Sequence, residues 1–420
     1  MKITKESYQL MYFFTKNNCI NPLKQTKKTD SIIVKLYHEI LNGVSFIQNL
    51  KSKMGSNFYK LKITHIHNIN QIPKPSTFPP NSFPSPIRKH IDENIFSLLS
   101  YSFHIYGRDI EIFFVTEESN PENLIELYNN YVDIMLVWLF IINDYSSRNC
   151  ATTLKIYIYH TNLLKKLPET NIHILDENNI NTAFTRTCPK NSEIVVFRKE
   201  EWFKAFMHET FHNFALDFSD MNNSSCNSKI LSIFPVKSEV NLFESYTEFW
   251  ARIMNTLFCS YTIMKNKNDI NELLDNFEFF INFERSYAFF QIVKILHFMD
   301  MSYTDLYEKN IKSEIIRNTF YKEKTNVLSY YVITLILLNN YQDFLSWCNL
   351  NNTSLLQFKK TTSNLDSFCK FIEKKYKTRN LLENIECTEK LLNKTNKKYQ
   401  TKKDLNFIMK NLRMTVCELG

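Results

Sequence analysis

Apolar and polar residues alternate with a two-residue period in several stretches, the pattern of a strand with one buried face. Leu61, Ile63, His65, His67 and Ile69 predict a strand around residues 59–69. The stretches 109–116 (Asp-Ile-Glu-Ile-Phe-Phe-Val-Thr) and 153–160 (Thr-Leu-Lys-Ile-Tyr-Ile-Tyr-His) predict two more. Shorter strands follow at 181–187 and 193–198, divided by a Cys-Pro-Lys-Asn turn. Between them the period changes. Asn120-Pro121-Glu122 opens a helix to about residue 144, apolar nearly all round from Tyr131 to Ile142 and therefore buried. A second helix covers 200–218 and starts with two glutamates. Past Pro235 the pattern is almost wholly helical, at 239–258, 271–299 and 326–338. The rest of residues 1–70 shows weak periodicity, and the last stretch, rich in Lys and Asn, reads as peripheral. Residues 71–90 hold six of the eleven prolines and predict an extended linker or surface loop. The expected fold class is α+β, a small mixed sheet with its helices followed by a mostly helical part.

Composition narrows the function. With 35 Phe and 22 Tyr in 420 residues the chain is not disordered. Four glycines, and no Gly-rich phosphate motif, exclude the common nucleotide-binding loops. The abundance of Asn, Ile, Lys and Tyr points to an AT-rich genome. The net charge of +8 gathers late, at 374–377 and 397–403, and reads as solvated helix faces, so nucleic acid is not an expected partner. Nine cysteines, an odd number without a CxxC, suggest reduced thiols in a cytoplasmic setting. The charged N-terminus is unlike a signal peptide, and the apolar runs 134–142 and 332–338 are too short to span a bilayer. A soluble protein is expected.

The candidate chemistry sits in the 200–218 helix, at His208-Glu209-Thr210-Phe211-His212. Histidines four apart share a helical face and can reach one metal ion, while the adjacent glutamate can take a proton from water. Trp202, Phe203, Phe206, Met207, Phe214 and Leu216 make this a buried helix. Catalytic zinc needs a third protein ligand. The metzincin arrangement, Gly three and His six residues past the motif, fails because Ala215 and Phe218 stand there. Asp217 suits a supporting role at the helix end. Glu244 is the better ligand: with Glu248 it forms an acidic pair on one face of a helix otherwise lined by Leu242, Phe243, Phe249, Trp250 and Ile253. Such a pair is costly to bury unless it meets a cation or imidazole N–H groups.

This set resembles the gluzincin zinc peptidases of the thermolysin type, over roughly residues 109–260. The resemblance implies a zincin-like catalytic domain, Zn²⁺ on His208, His212 and Glu244, and Glu209 as general base. It also implies that Glu248, where the family usually has Asp, supports a zinc-bound His. The implied division is 1–90 as an N-terminal region, 91–260 as the catalytic domain, 261–350 as a helical subdomain completing the cleft, and 351–420 as a basic helical tail. An edge strand at 181–185 would pair with a peptide or protein substrate. The run from Glu193 through Lys204 to Asn213 also looks like uncharacterised metallopeptidases of large DNA viruses, which would place the protein in host cytoplasm or virion. An oxyanion donor is expected from a later segment: Tyr331 or its neighbour Tyr330, with Tyr246 and His297 as rivals. His65 and His67 share a strand face but lack the rest of a binuclear motif, Cys188 reads as a turn residue, and Trp138 and Trp250 read as core. Two other classes remain open, an inactive zincin serving as scaffold or virion component, and a basic helical interaction protein.

Overall fold

The computed structural model describes residues 1–79, 82–399 and 405–420; Pro80 in the proline-rich stretch and the end of the 397–403 basic run lie outside the described residues. The fold is mixed α+β and divides into two compact units, which do not follow the four regions expected above.

The first unit comprises Met1 and residues 31–164 and 182–217. It holds one mixed sheet of β1 (Lys62–His65), β2 (Ser97–Ile105), β3 (Arg108–Thr116), β4 (Thr153–His160), β5 (Ala183–Thr185) and β6 (Asn191–Val196), in the order β1-β2-β3-β4-β6-β5. The pairs β3–β4 and β4–β6 are parallel and the others antiparallel. One face of the sheet buries Phe114 against Tyr128 of the Ile125–Asn143 helix and against Trp202 of the Trp202–Asn213 helix, with ring centroids 5.0 and 6.1 Å apart. The helix Pro121–Asn143 is long and apolar enough, by length and composition, to cross a membrane. Here it is core: Val132, Met135, Leu136 and Trp138 are buried in the unit. A Cβ at Gly43 would lie 3.0 Å from Val137 Cγ1, so the Lys27–Met54 helix approaches its neighbour there closely enough to favour glycine.

The opposite face corrects an expectation. The proline-rich stretch is neither linker nor loose loop, because Ile72, Phe83 and Ile87 pack with Val115, Tyr159, Val195 and Phe197 in one cluster. Its polar anchors are as specific. The Glu193 carboxylate accepts from the backbone N–H and the hydroxyl of both Ser76 and Thr77, and Tyr159 Oη donates to the Pro73 carbonyl. Burial alone would raise the Glu193 pKa, but these donors hold it below the usual carboxylate range. Prolines suit such a strap because few backbone N–H groups are left to satisfy.

The second unit comprises residues 2–30, 165–181 and 218–420. It is built from helices, among them Leu242–Ile263, Ile270–Phe298, Tyr341–Asn351, Thr362–Lys375 and Arg379–Tyr399. Phe218, Tyr246, Phe344, Phe358 and Phe368 form an aromatic cluster, with Phe218 and Phe358 centroids 4.4 Å apart. The expected 326–338 helix begins as a π-helical turn, Leu328–Ile333. The end of the chain is not peripheral. Leu412, Val416, Cys417 and Leu419 are buried, and the Glu284 carboxylate accepts from the N–H groups of Val416 and Cys417 at 2.8 Å. An apolar segment flanked by Lys-rich helix reads as surface by composition, yet side chains of the helices satisfy its backbone.

The reduced-thiol expectation is also corrected. Cys19–Cys387, Cys150–Cys188 and Cys226–Cys369 are disulfide pairs, while Cys259, Cys348 and Cys417 are free and buried. Partners 38 to 368 residues apart leave no local spacing motif to read.

Candidate metal centre

The Trp202–Asn213 helix lies entirely within the core of the first unit, with every one of its residues buried. Its position is set from several sides. Trp138 Nε1 donates to Thr210 Oγ1 at 2.7 Å, and Asn213 Nδ2 donates to Thr185 Oγ1 at 2.8 Å and to Ser192 Oγ. The N–H of Cys188, itself disulfide-bonded to Cys150, donates to the Asn213 carbonyl at 3.2 Å. Cys188 is thus a structural turn residue at φ 49°.

The helix stops at residue 213 and not at the expected 218, and the stop has a chemical consequence. Ala215 takes the left-handed conformation, φ 54°. The Leu216 N–H returns to the Phe211 carbonyl and the Ala215 N–H to that of His212, which together make a Schellman termination. Reversing the chain there brings the Asp217 carboxylate onto His212 Nδ1. An Nδ1–H donated in a hydrogen bond to Asp217 leaves Nε2 as the nitrogen with a lone pair for a metal. His212 Nε2 lies 3.2 Å from His208 Nε2. Two nitrogens bound to one tetrahedral ion at ~2.0–2.1 Å would sit roughly 3.3–3.4 Å apart, so the observed pair suits a common metal. Glu209, between them in sequence, is buried at 7% exposure. The helix entry is strained as well, with Glu201 at φ 60°.

In the second unit Glu244 lies in the first turn of the Leu242–Ile263 helix and Glu248 one turn later, fully buried. Glu244 is half-buried, and its Oε2 accepts from Tyr330 Oη at 3.0 Å. The next residue, Tyr331, donates through Oη to the Leu412 carbonyl at 2.6 Å. Adjacent residues point apart on any helix, and the π-helical turn decides which faces Glu244. The rivals are engaged elsewhere: Tyr246 Oη donates to the Leu356 carbonyl, and exposed His297 contacts Asn396. His65 meets Glu122 at 3.0 Å on the surface and His67 is exposed, so neither belongs to a metal cluster among the described residues. Trp138 and Trp250 are core.

His208 and His212 in the first unit, and Glu244 in the second, each offer a donor atom of a type that binds a metal ion. The donor set, two imidazoles and a carboxylate, is one that zinc accepts while leaving a fourth position open. Two features of the site had weak sequence signals: the reversal at Ala215 lacks the usual glycine, and Tyr330 is one of 22 tyrosines. Compared with family models, curated proteins and solved structures, the chain matches none.

Proposed function

We propose that the protein is a zinc-dependent hydrolase, a gluzincin-like metallopeptidase that cleaves peptide bonds. The observation that carries the reading is the His208–His212 pair, 3.2 Å apart at Nε2 with Asp217 fixing the His212 tautomer. A bare pair of buried imidazoles could share one hydrogen bond, but an acid behind one ring suits a cation better. In this reading His208, His212 and Glu244 hold the ion. Bound zinc acidifies water and polarises a carbonyl. Glu209 accepts the proton of the attacking water and delivers it to the leaving amine. Tyr330 steadies the Glu244 carboxylate, and Glu248 is assigned to support of a zinc-binding imidazole.

Metal analysis with peptide-library hydrolysis tests the reading. The full chain should bind one equivalent of zinc and cleave peptides. Glu209→Gln should keep zinc and lose cleavage, because an amide can hold water without accepting its proton, while His212→Ala should lose zinc. Zinc retained without any cleavage would favour an inactive zincin scaffold. Absence of stoichiometric zinc would leave the motif accidental.

A further inference from the structure

β5 ends the sheet, and its outer edge has no partner strand among the described residues. The Phe197 N–H donates to the Thr182 carbonyl at 2.9 Å, so the antiparallel alternation turns the N–H and C=O groups of Ala183 and Thr185 outward. At its end β5 is tied to the motif helix, through the bond from Asn213 to Thr185. A peptide added along this edge would therefore run past the residue that follows His212.

The strap gives this edge one distinctive face. Phe184 and Arg186, two apart, share that face. Both touch Phe78: the Phe78 and Phe184 rings lie 4.8 Å apart, edge to face, and the Arg186 guanidinium stands 5.3 Å from the Phe78 centroid. Arg186 also donates through one Nη2 to the Thr77 carbonyl at 2.7 Å, which orients the guanidinium while the exposed side chain keeps its other donors for solvent. Phe78 and Phe184 are half-buried. The surface is preorganised, because Glu193 clamps Ser76 and Thr77 through four hydrogen bonds.

We infer that, among the extended peptides that could pair antiparallel with β5, Phe78, Phe184 and Arg186 select one with an acidic residue two positions N-terminal to an apolar one. The order follows from direction. In an antiparallel pair, the peptide residue beside Phe184 is two positions later than the one beside Arg186, and both side chains fall on the strap face. An apolar side chain gains contact with the two rings, and a carboxylate gains the free guanidinium donors. This inference rests on the peptidase reading for its substrate, although binding at the edge needs no catalysis.

The test uses labelled octapeptides and fluorescence anisotropy on the zinc-loaded full-length Glu209→Gln protein, with hydrolysis followed separately on the wild type. Asp-X-Phe peptides should bind about fivefold tighter than Lys-X-Phe or Phe-X-Asp. Arg186→Glu should invert the Asp against Lys preference, and Phe78→Ala should cut the Phe against Ala preference by about tenfold. Both residues lie at the surface and outside the sheet core, and unchanged circular dichroism checks that the variants fold. Equal binding of all three peptides, tighter binding of Phe-X-Asp, or an unaltered preference in Arg186→Glu overturns the proposed subsite. Peptides that bind as predicted but are never cleaved by the wild type would support the subsite and overturn the peptidase reading. Cleavage with no effect of Arg186→Glu would do the opposite.

Discussion

His212 Nε2 lies 3.2 Å from His208 Nε2, a separation set by one helical turn and by the carboxylate of Asp217 behind the second ring. The acid reaches that ring because the chain reverses at Ala215. Asp217→Ala should therefore leave the helix in place and lower zinc affinity by about 10- to 100-fold. Competition with a chromophoric chelator measures this. Unchanged affinity would mean that the ring needs no such orientation.

Tyr330 Oη is bonded to the Glu244 carboxylate and Tyr331 Oη to the Leu412 carbonyl. Tyr330→Phe should weaken zinc binding, since the Glu244 carboxylate loses the hydroxyl that holds it. Tyr331→Phe should instead cost about 1 kcal/mol of stability, the net value of a buried hydrogen bond, without altering zinc affinity. Chelator titration and urea denaturation on both variants decide it. The reverse pattern would restore Tyr331 as the residue at the site.

Ala215→Gly should stabilise the protein by about 1 kcal/mol. An alanine at φ 54° carries a Cβ cost that glycine avoids, and this saving exceeds the entropy that glycine adds to the unfolded chain. Urea unfolding with zinc present reads the change. Destabilisation would show that Cβ packing outweighs the strain.

His160 sets an acid limit on stability. It lies among Phe114, Tyr131 and Trp202, its Nε2 has no hydrogen-bond partner, and burial, aided by Lys199, pushes its pKa down to about 3. A histidine whose folded pKa is depressed stays neutral in the fold but takes up a proton when unfolded. Its effect is therefore absent above the unfolded pKa near 6.5 and costs up to about 1.4 kcal/mol per pH unit between there and pH 3. His160→Phe should remove this slope. Denaturant midpoints at a series of pH values would show the wild-type and variant curves diverging below pH 6.5; parallel curves would contradict it.

Much of the first unit was legible in the residues. The alternation at 109–116 and 153–160 became β3 and β4, and the short stretch at 181–187 became the edge strand β5. In β3 and β4, which are largely buried, periodicity and burial agree. β2 was missed because polar Ser97 and Tyr101 stand at buried positions and Leu98 at a half-exposed one, which blurs the contrast. The helices Lys5–Lys16 and Lys27–Met54 were missed where Lys and Asn dilute apolar residues such as Leu36 and Ile40. The strap was misread because proline content reports missing N–H donors, not missing contacts; Glu193 and the Phe83 cluster supply those from afar. At the site, the histidine pair came from spacing alone. The Asp217 contact depends on a backbone reversal, and the choice of Tyr330 over Tyr331 on a π-helical turn, neither of which residue types encode directly.

Whether one ion sits on His208, His212 and Glu244 is read by anomalous diffraction at the zinc edge from crystals of the zinc-loaded chain. A single peak is expected at ~2.0–2.2 Å from His208 Nε2, His212 Nε2 and a Glu244 carboxylate oxygen. A peak elsewhere, or one on the histidines with Glu248 or Asp217 in place of Glu244, would contradict it.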